Sequence, residues 1–289
     1  MSSTRTLVGR ARQALPEPAV GATRSVVRAW GMATADLRLL PSIVIVGAQR
    51  AGTTTLFRLF SDHPSVLRAT LSKGVGYFDL SYHRGPRWYR AHFPLRRPSR
   101  TPYVTFESSG YYSFHPLAID RLAADLPDAH VVYMVRNPVD RAYSAHRHEL
   151  ARGFETEEFA RAIELEPERL AGEVDKILAD PRYESLHHRH HAYLARSRYS
   201  EQVARMHAAL GPDRVHVVDA DAFFAAPQEV FADLQRAVGL PVWTPASVEQ
   251  WNARARDPLD PVLRAELMDH FAPYDDELSR LTGRAPSWR

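Results

Sequence analysis

The stretch from Ser42 to Asp62, SIVIVGAQRAGTTTLFRLFSD, constrains the chain more than any other. Its apolar run, Ile43 to Val46, breaks at Gly47; a short polar loop with Gly52 and three threonines follows, then Leu56, Phe57, Leu59 and Phe60 recur at helical spacing. A strand, a glycine-bearing loop and a helix in that order point backbone N–H groups and a helix N-terminus at an anion. The loop from Gly47 to Gly52 is close to G-x-x-x-x-G-K-[ST], but Thr53 stands where the lysine belongs and the positive charge is inside the loop, at Arg50. A nucleoside triphosphatase neutralises its terminal phosphates with that lysine and Mg²⁺. Arg50, loop amides and threonine hydroxyls suit a single 5′-phosphate instead. The same letters also describe an ordinary strand–helix turn.

Other segments predict what surrounds this unit. Strands are expected at Val66–Ala69, Tyr103–Glu107, His130–Val135 and Val215–Asp219. Helices are expected at Pro116–Asp125, Pro138–Arg152, Thr156–Glu166, Glu168–Ala179, Ser200–Leu210, Pro227–Val238 and Pro261–Leu281. Strands alternating with helices imply an α/β fold, a P-loop-like parallel sheet flanked by helices on both faces. At 289 residues, without internal repeats, the chain suits one such domain over 41–289. Residues 1–40 read as a basic helical extension, from Ala22 to Leu40 amphipathic, which packs on the domain or makes peripheral contact with an anionic membrane surface.

Composition removes several function classes. Cysteine is absent, which excludes disulfides and thiolate metal sites. No apolar run reaches bilayer length and no signal-peptide core opens the chain, so a soluble, cytoplasmic protein is expected. The net charge of +3 is mild, and no basic face with interleaved aromatics points to nucleic acid. Lys73 and Lys176 are the only lysines among 37 Lys and Arg residues.

A second anion site follows the strand ending at Val135, in Arg136-Asn137-Pro138-Val139-Asp140-Arg141-Ala142-Tyr143-Ser144. Arg136 stands at a strand's C-terminal end, where open α/β sheets bind ligands, and Ser144 lies two helical turns on. A guanidinium with a hydroxyl suits a phosphate monoester. Alternatively, Arg136 only caps nearby carboxylates at a helix entry.

Taken together, G-x-x-[KR]-x-G-T-T-x-L after the first strand and R-N-P-x-x-R-x-x-S after a later one resemble the sulfotransferases that use 3′-phosphoadenosine 5′-phosphosulfate, in particular bacterial relatives of the heparan sulfate sulfotransferases. The resemblance extends over 41–288 and includes GYFDL with WYRAHFP, FESSGYYSFHP, HRHHAYLARSRYSEQ and FAPYDDELSRLTGR. It implies that Gly47, Arg50, Ala51, Gly52, Thr53, Thr54 and Thr55 hold the donor's 5′-phosphosulfate. It implies likewise that Arg136, Ser144 and Arg254 bind its 3′-phosphate, although Asn252 and Ala253 replace the lysine and glycine of the family's closing loop. The expected chemistry is metal-free, in-line sulfuryl transfer to a hydroxyl of a carbohydrate, glycolipid or secondary metabolite, with preorganised charge stabilising the leaving oxygen.

The family's general base is where the pattern departs. Related enzymes carry a Glu, and often a His, in a Lys-Glu-x-His-x-Phe-like segment; Lys73-Gly74-Val75-Gly76-Tyr77-Phe78-Asp79 has glycine at both positions. Glu107, at the end of its strand and at a family position, is the first candidate base, with an ion pair to an arginine such as Arg136 as its structural alternative. His115 and Asp79 come next, and Lys73 is a candidate to neutralise the sulfonate or leaving oxygen. The run His187-His188-Arg189-His190-His191 lacks a known metal-ligand spacing and reads as packing or ligand contact. Trp88, Tyr89, Tyr111, Tyr112 and Phe114 read as core before sugar-stacking platforms. Competing functions are a non-catalytic relative that binds the nucleotide, favoured by the two glycines, and a nucleotide-kinase-like phosphotransferase, disfavoured by Thr53. A membrane-surface module using the N-terminal segment belongs to a third class.

Overall fold

The computed structural model describes residues 28–69, 74–98, 103–248 and 258–289. Five strands form one sheet: β1 (Ile43–Gly47), β2 (Val66–Arg68), β3 (Val104–Ser108), β4 (His130–Val135) and β5 (Val215–Asp219). Their spatial order is β2-β3-β1-β4-β5 and every neighbouring pair is parallel. Runs such as Ile43–Val46 and Val131–Val135 are buried along their whole length, as strands covered on both faces must be. All five expected strands are present to within a residue or so at each end.

The helices are α1 (Thr53–Asp62), α2 (Gly85–Arg90), α3 (Ala118–Asp125), α4 (Pro138–Ala151), α5 (Phe159–Leu170), α6 (Glu173–Ala179), α7 (Leu186–His190), α8 (Tyr199–Leu210), α9 (Ala220–Ala225), α10 (Pro227–Ala237) and α11 (Pro261–Thr282). Sequence reading misses α2, α7, α9 and a short π-helical segment at Tyr77–Ser81, all too brief for periodicity to register. The main core lies around the sheet, with Phe60, Phe106, Val132, Met134 and Phe231 fully or almost fully buried. A second buried cluster joins Val139, Ala142 and Phe159 to Leu267 and Phe271, pinning α11 against α4 and α5.

The order of the strands creates the site. The chain leaves β1 through α1 toward β2 on one side, whereas β4 continues to β5 on the other, so the C-terminal ends of β1 and β4 flank a switch point. In the segment before β1, Leu39 N donates to Pro94 O at 2.9 Å and Leu37 O accepts from Arg96 N at 2.8 Å. The described end of the N-terminal segment is thus paired to the domain, with Trp30 and Leu37 exposed. Among the described residues no helix is long and apolar enough to cross a membrane.

Candidate functional site

The loop after β1 turns sharply on three positive-φ residues: Gly47 at 151°, Arg50 at 73° and Gly52 at 90°. Gly47 has no room for a side chain, since a Cβ there would stand 2.6 Å from Ser113 Oγ. Gly52 is the N-cap of α1, so Thr53, Thr54 and Thr55 form the first turn of that helix. Thr55 N donates to the Gly52 carbonyl at 3.0 Å, and the helix dipole adds positive potential at this end. Arg50, with φ in a region few non-glycine residues occupy, is held with its side chain toward α4.

That side chain meets the second site directly. Arg50 Nε donates to Ser144 Oγ at 3.1 Å, and Arg136 Nη1 donates to the Arg50 carbonyl at 3.4 Å. Two segments more than eighty residues apart in the chain therefore share one crevice. Local chemistry sets the second segment: Asn137 accepts from Val139 N at 3.1 Å and Asp140 N at 3.2 Å, and Pro138 opens α4 at its favoured first position. Ser144 then falls two turns on, buried, on the inner face of α4. The expected capping of a carboxylate by Arg136 is weak: Asp140 is 3.9 Å away and makes its short contact, 2.7 Å, with Arg264 of α11. The buried Arg136 Nε has no hydrogen-bond partner among the described residues. A buried donor without an acceptor suits an oxyanion that would enter beside it.

Arg141, on the same helix, is fully buried and structural: its Nε donates to Ser197 Oγ at 2.7 Å and its Nη2 to the Tyr193 carbonyl. Lys73 and Arg254 lie outside the described residues.

Next to the loop opens a cavity of about 440 Å³, whose lining includes Gln49, Asp79, Tyr111, Arg152, Arg189 and Arg196. Gln49, the residue before Arg50, is clamped at its base. Arg196 Nη1 donates to Gln49 Oε1 at 2.9 Å, and Gln49 Nε2 donates to Glu149 Oε1 at 3.2 Å. Arg196 lies against the faces of Tyr111 and Phe114, 5.0 and 5.4 Å from their centroids. Burial, reinforced by neighbouring Arg141, lowers its guanidinium to about 10.

The carboxylates sort differently from expectation. Glu107 does stand near the end of β3, but its partners are Tyr89 OH at 2.5 Å, Tyr112 OH at 2.6 Å and Val75 N at 3.2 Å, rather than Arg136. It is fully buried and does not line the cavity, so both the direct proton-acceptor role and the arginine pairing expected for it meet the wrong geometry. Burial pushes its carboxyl up to about 7 against the pull of the two tyrosine bonds. Asp79 does line the cavity. Its Oδ1 accepts from Leu80 N at 2.7 Å and its Oδ2 from Ser109 Oγ at 3.3 Å. Burial raises its carboxyl above the usual aspartate range, with the Leu80 N–H, Arg189 and Ser109 pulling the other way.

The two glycines that replace the family's Glu and His are tied to the backbone. A Cβ at Gly74 would sit 2.9 Å from the Ser108 carbonyl oxygen, and Gly76 has φ of 66° with Asp79 Oδ1 3.3 Å from where its Cβ would be. His115 is buried away from the cavity and held neutral, down to about 3, by desolvation and by Arg121 and Arg205.

The histidine run splits into separate contacts. His188 Nδ1 pairs with Tyr111 OH at 2.7 Å, His190 Nδ1 with Glu149 Oε2 at 2.9 Å, and His191 Nε2 with the Phe154 carbonyl at 2.7 Å. No group of three or more His, Asp or Glu suited to a metal ion occurs among the described residues. The aromatic residues are mostly core, with Tyr77 stacked on Tyr89 at 4.5 Å; Tyr111 alone of those singled out lines the cavity. Gln49, Arg152 and Arg196 line the cavity although sequence reading assigns them no role, whereas Arg189 belongs to the histidine run read as packing or ligand contact. In so arginine-rich a chain nothing local distinguishes a cavity arginine from a surface one.

A family model described as "Sulfotransferase domain" matches residues 40–254. The bifunctional heparan sulfate N-deacetylase/N-sulfotransferase 2 of Homo sapiens is 36% identical over 119 residues, 39% of this chain and 13% of that protein. The corresponding enzyme 1 of Caenorhabditis elegans is 38% identical over 117 residues, with the same coverage of 39% and 13%. The chain thus matches only a small part of these curated relatives' length. The crystal structure of a sulfotransferase from Alicyclobacillus acidocaldarius superposes with a TM-score of 0.66 at 29% identity, covering 86% of this chain and 98% of that one.

Proposed function

We propose that this chain, which belongs to the sulfotransferase domain family, takes its sulfuryl group from 3′-phosphoadenosine 5′-phosphosulfate and passes it to a hydroxyl of a carbohydrate, glycolipid or secondary metabolite. Sulfate transfer as the enzyme class follows from that membership. For the donor and the acceptor, one observation carries the proposal. Arg50 of the first anion site and Ser144 of the second are hydrogen-bonded to each other across the switch point, with Arg136 bonded to the Arg50 carbonyl. Cations and hydroxyls converging from two loops suit a nucleotide phosphorylated at both ends of its ribose.

In this reading Gly47 to Thr55 wrap the 5′ end, the α1 N-terminus and Arg50 facing the charge that develops there. Arg136 and Ser144 hold the 3′-phosphate, together with Arg254. When bound, the donor supplies a sulfuryl group whose bridging oxygen departs as a phosphate oxygen. Asp79, facing the cavity, accepts the acceptor's proton as the new O–S bond forms. The old S–O bond breaks and its electron pair stays on the bridging oxygen, beside Arg50. Glu107 acts through others: by binding Val75 N, Tyr89 and Tyr112 it holds the segment that carries Asp79. Lys73 keeps the proposed role of neutralising the sulfonate. A cytoplasmic location belongs to the same proposal.

Calorimetry on Arg136→Ala tests the reading. Loss of one charged hydrogen-bonding partner costs roughly 1.5–3 kcal/mol, so binding of adenosine 3′,5′-bisphosphate weakens about 10- to 100-fold, whereas adenosine 5′-phosphosulfate, lacking the 3′-phosphate, is nearly unaffected. Equal losses for both ligands would refute the assignment. Gly74 and Gly76 favour a second reading, a non-catalytic nucleotide binder. Release of the bisphosphate in the presence of an acceptor panel separates the two.

A further inference from the structure

We infer that His187 and His191 form a transition-metal site for Cu²⁺ on α7, the helix that walls one side of the cavity. The pair needs nothing from the donor assignment. In His187-His188-Arg189-His190-His191 the outer histidines are four apart, which on a helix brings both to one face. That turn is closed in the structure: His191, the C-cap of α7, donates its N–H to the His187 carbonyl at 2.8 Å. The two rings have centroids 5.1 Å apart, and His187 Nδ1 lies 2.9 Å from His191 Nδ1. His188 and His190 turn elsewhere, to Tyr111 and to Glu149.

The separation selects the ion. Metal–imidazole bonds are about 2.0–2.1 Å long, so two of them at a right angle put their nitrogens about 2.8–3.0 Å apart, and a tetrahedral angle needs about 3.3–3.4 Å. The 2.9 Å seen here fits two adjacent corners of a square-planar or tetragonal centre. That geometry belongs to Cu(II) and Ni(II), and copper binds more tightly than nickel to a given site.

Hydrogen bonding prepares the nitrogens. His191 Nε2 pairs with the Phe154 carbonyl at 2.7 Å; a carbonyl only accepts, so Nε2 carries the proton and the lone pair of the neutral ring is on Nδ1, toward His187. A carbonyl on the far nitrogen is what orients metal-binding histidines in general. Burial lowers the His191 imidazolium below the usual histidine range, which keeps the ring in the neutral form a ligand needs. Before the ion enters, His187 Nδ1–H donates to His191 Nδ1. On binding, that proton passes through solvent to His187 Nε2, and both Nδ1 lone pairs go to the metal. His187 is partly exposed, which gives the ion access. No third His, Asp or Glu among the described residues completes a ligand group, so water takes the remaining corners.

A cross-strand pair, His130 Nδ1 and His216 Nε2, has the same 2.9 Å separation. Burial and Arg214 lower the His130 imidazolium, however, and that guanidinium repels a cation. Beside His191 the charge of Arg169 is offset by Glu155, its ion-pair partner at 2.7 Å. The five residues of α7 are too few for a stable helix on their own, and a metal across the turn fixes them. Because α7 presents Arg189 and His190 to the cavity, the ion stiffens that wall without entering the transfer chemistry.

The test strips the full chain with EDTA, exchanges it into a non-chelating buffer and titrates it with Cu²⁺, followed by calorimetry and electron paramagnetic resonance. The first equivalent shows two imidazole nitrogens on the copper and raises the urea midpoint, as binding to the folded state must. His187→Gln weakens that equivalent at least tenfold and removes the urea shift, whereas His216→Gln leaves the affinity within twofold of the parent. A first equivalent that survives in His187→Gln, is lost in His216→Gln or shows fewer than two nitrogens overturns the inference. Paramagnetic broadening of histidine ring resonances in the parent decides the matter without any variant. His187 and His191 broaden first if the site is as inferred, and any other first pair refutes it.

Discussion

Replacing Glu107 with glutamine distinguishes a structural carboxylate from a catalytic one, and the structure sets the size of the effect. The folded chain raises this carboxyl from 4.5 to about 7, chiefly by burial. Because the folded value lies above the unfolded one, the group's contribution to stability is complete below about pH 4.5 and is lost as pH rises through about 7. At about 1.4 kcal/mol per pH unit between those values, the loss is about 3 kcal/mol. Buried histidines such as His115 and His188, both lowered to about 3, act in the opposite sense, losing stability as pH falls below their unfolded value. They are common to parent and variant, so they cancel in the difference. Urea unfolding of both proteins from pH 4 to pH 8.5 measures that difference. Glu107→Gln gains on the parent by about 3 kcal/mol between the two extremes, most of it between pH 4.5 and 7. Its kcat near neutrality stays within about tenfold of the parent, since no proton passes through residue 107. Parallel stability profiles would refute the burial argument. A kcat loss of ~10²–10⁴-fold, the worth of a general base, would return Glu107 to the chemistry.

Asp79→Asn lowers kcat by ~10²–10⁴-fold without weakening bisphosphate binding; in the parent, kcat rises with pH as the elevated Asp79 carboxyl deprotonates, and the variant lacks that limb. Gly74→Glu does not restore a faster enzyme: its Cβ would press on the Ser108 carbonyl, and overpacking of this kind costs about 1–3 kcal/mol, read as a lower midpoint in urea. Steady-state rates measured with EDTA and without added divalent ions equal those with Mg²⁺, which separates this chain from a kinase-like phosphotransferase.

Several features were legible locally. Unbroken apolar runs at Ile43–Val46 and Val131–Val135 announced the buried strands β1 and β4, and the glycine loop before Leu56 announced the helix that follows β1. Asn137-Pro138 announced the start of α4 and placed Ser144 on its inner face. These features depend on a few neighbouring residues: hydrophobic period, a capping side chain, a proline at a first turn. The π-helical segment at Tyr77–Ser81 was not legible, because its shape depends on the Tyr112 hydroxyl accepting from Tyr77 N at 2.8 Å, thirty-five residues away.

The letters alone therefore determined an α/β sheet with a glycine loop after β1 and an Arg-Asn-Pro helix entry after β4, since both follow from short-range pattern. Only the tertiary structure decided which carboxylate lines the cavity. Glu107 and Asp79 are both acidic and both sit beside the glycine-altered segment. Two tyrosines from other elements enclose the first, while the second is left lining a cavity. It likewise committed Arg196 to Gln49 and to the faces of Tyr111 and Phe114. A side chain's charge is written in its own codon, but its solvation and partners belong to residues far away in sequence.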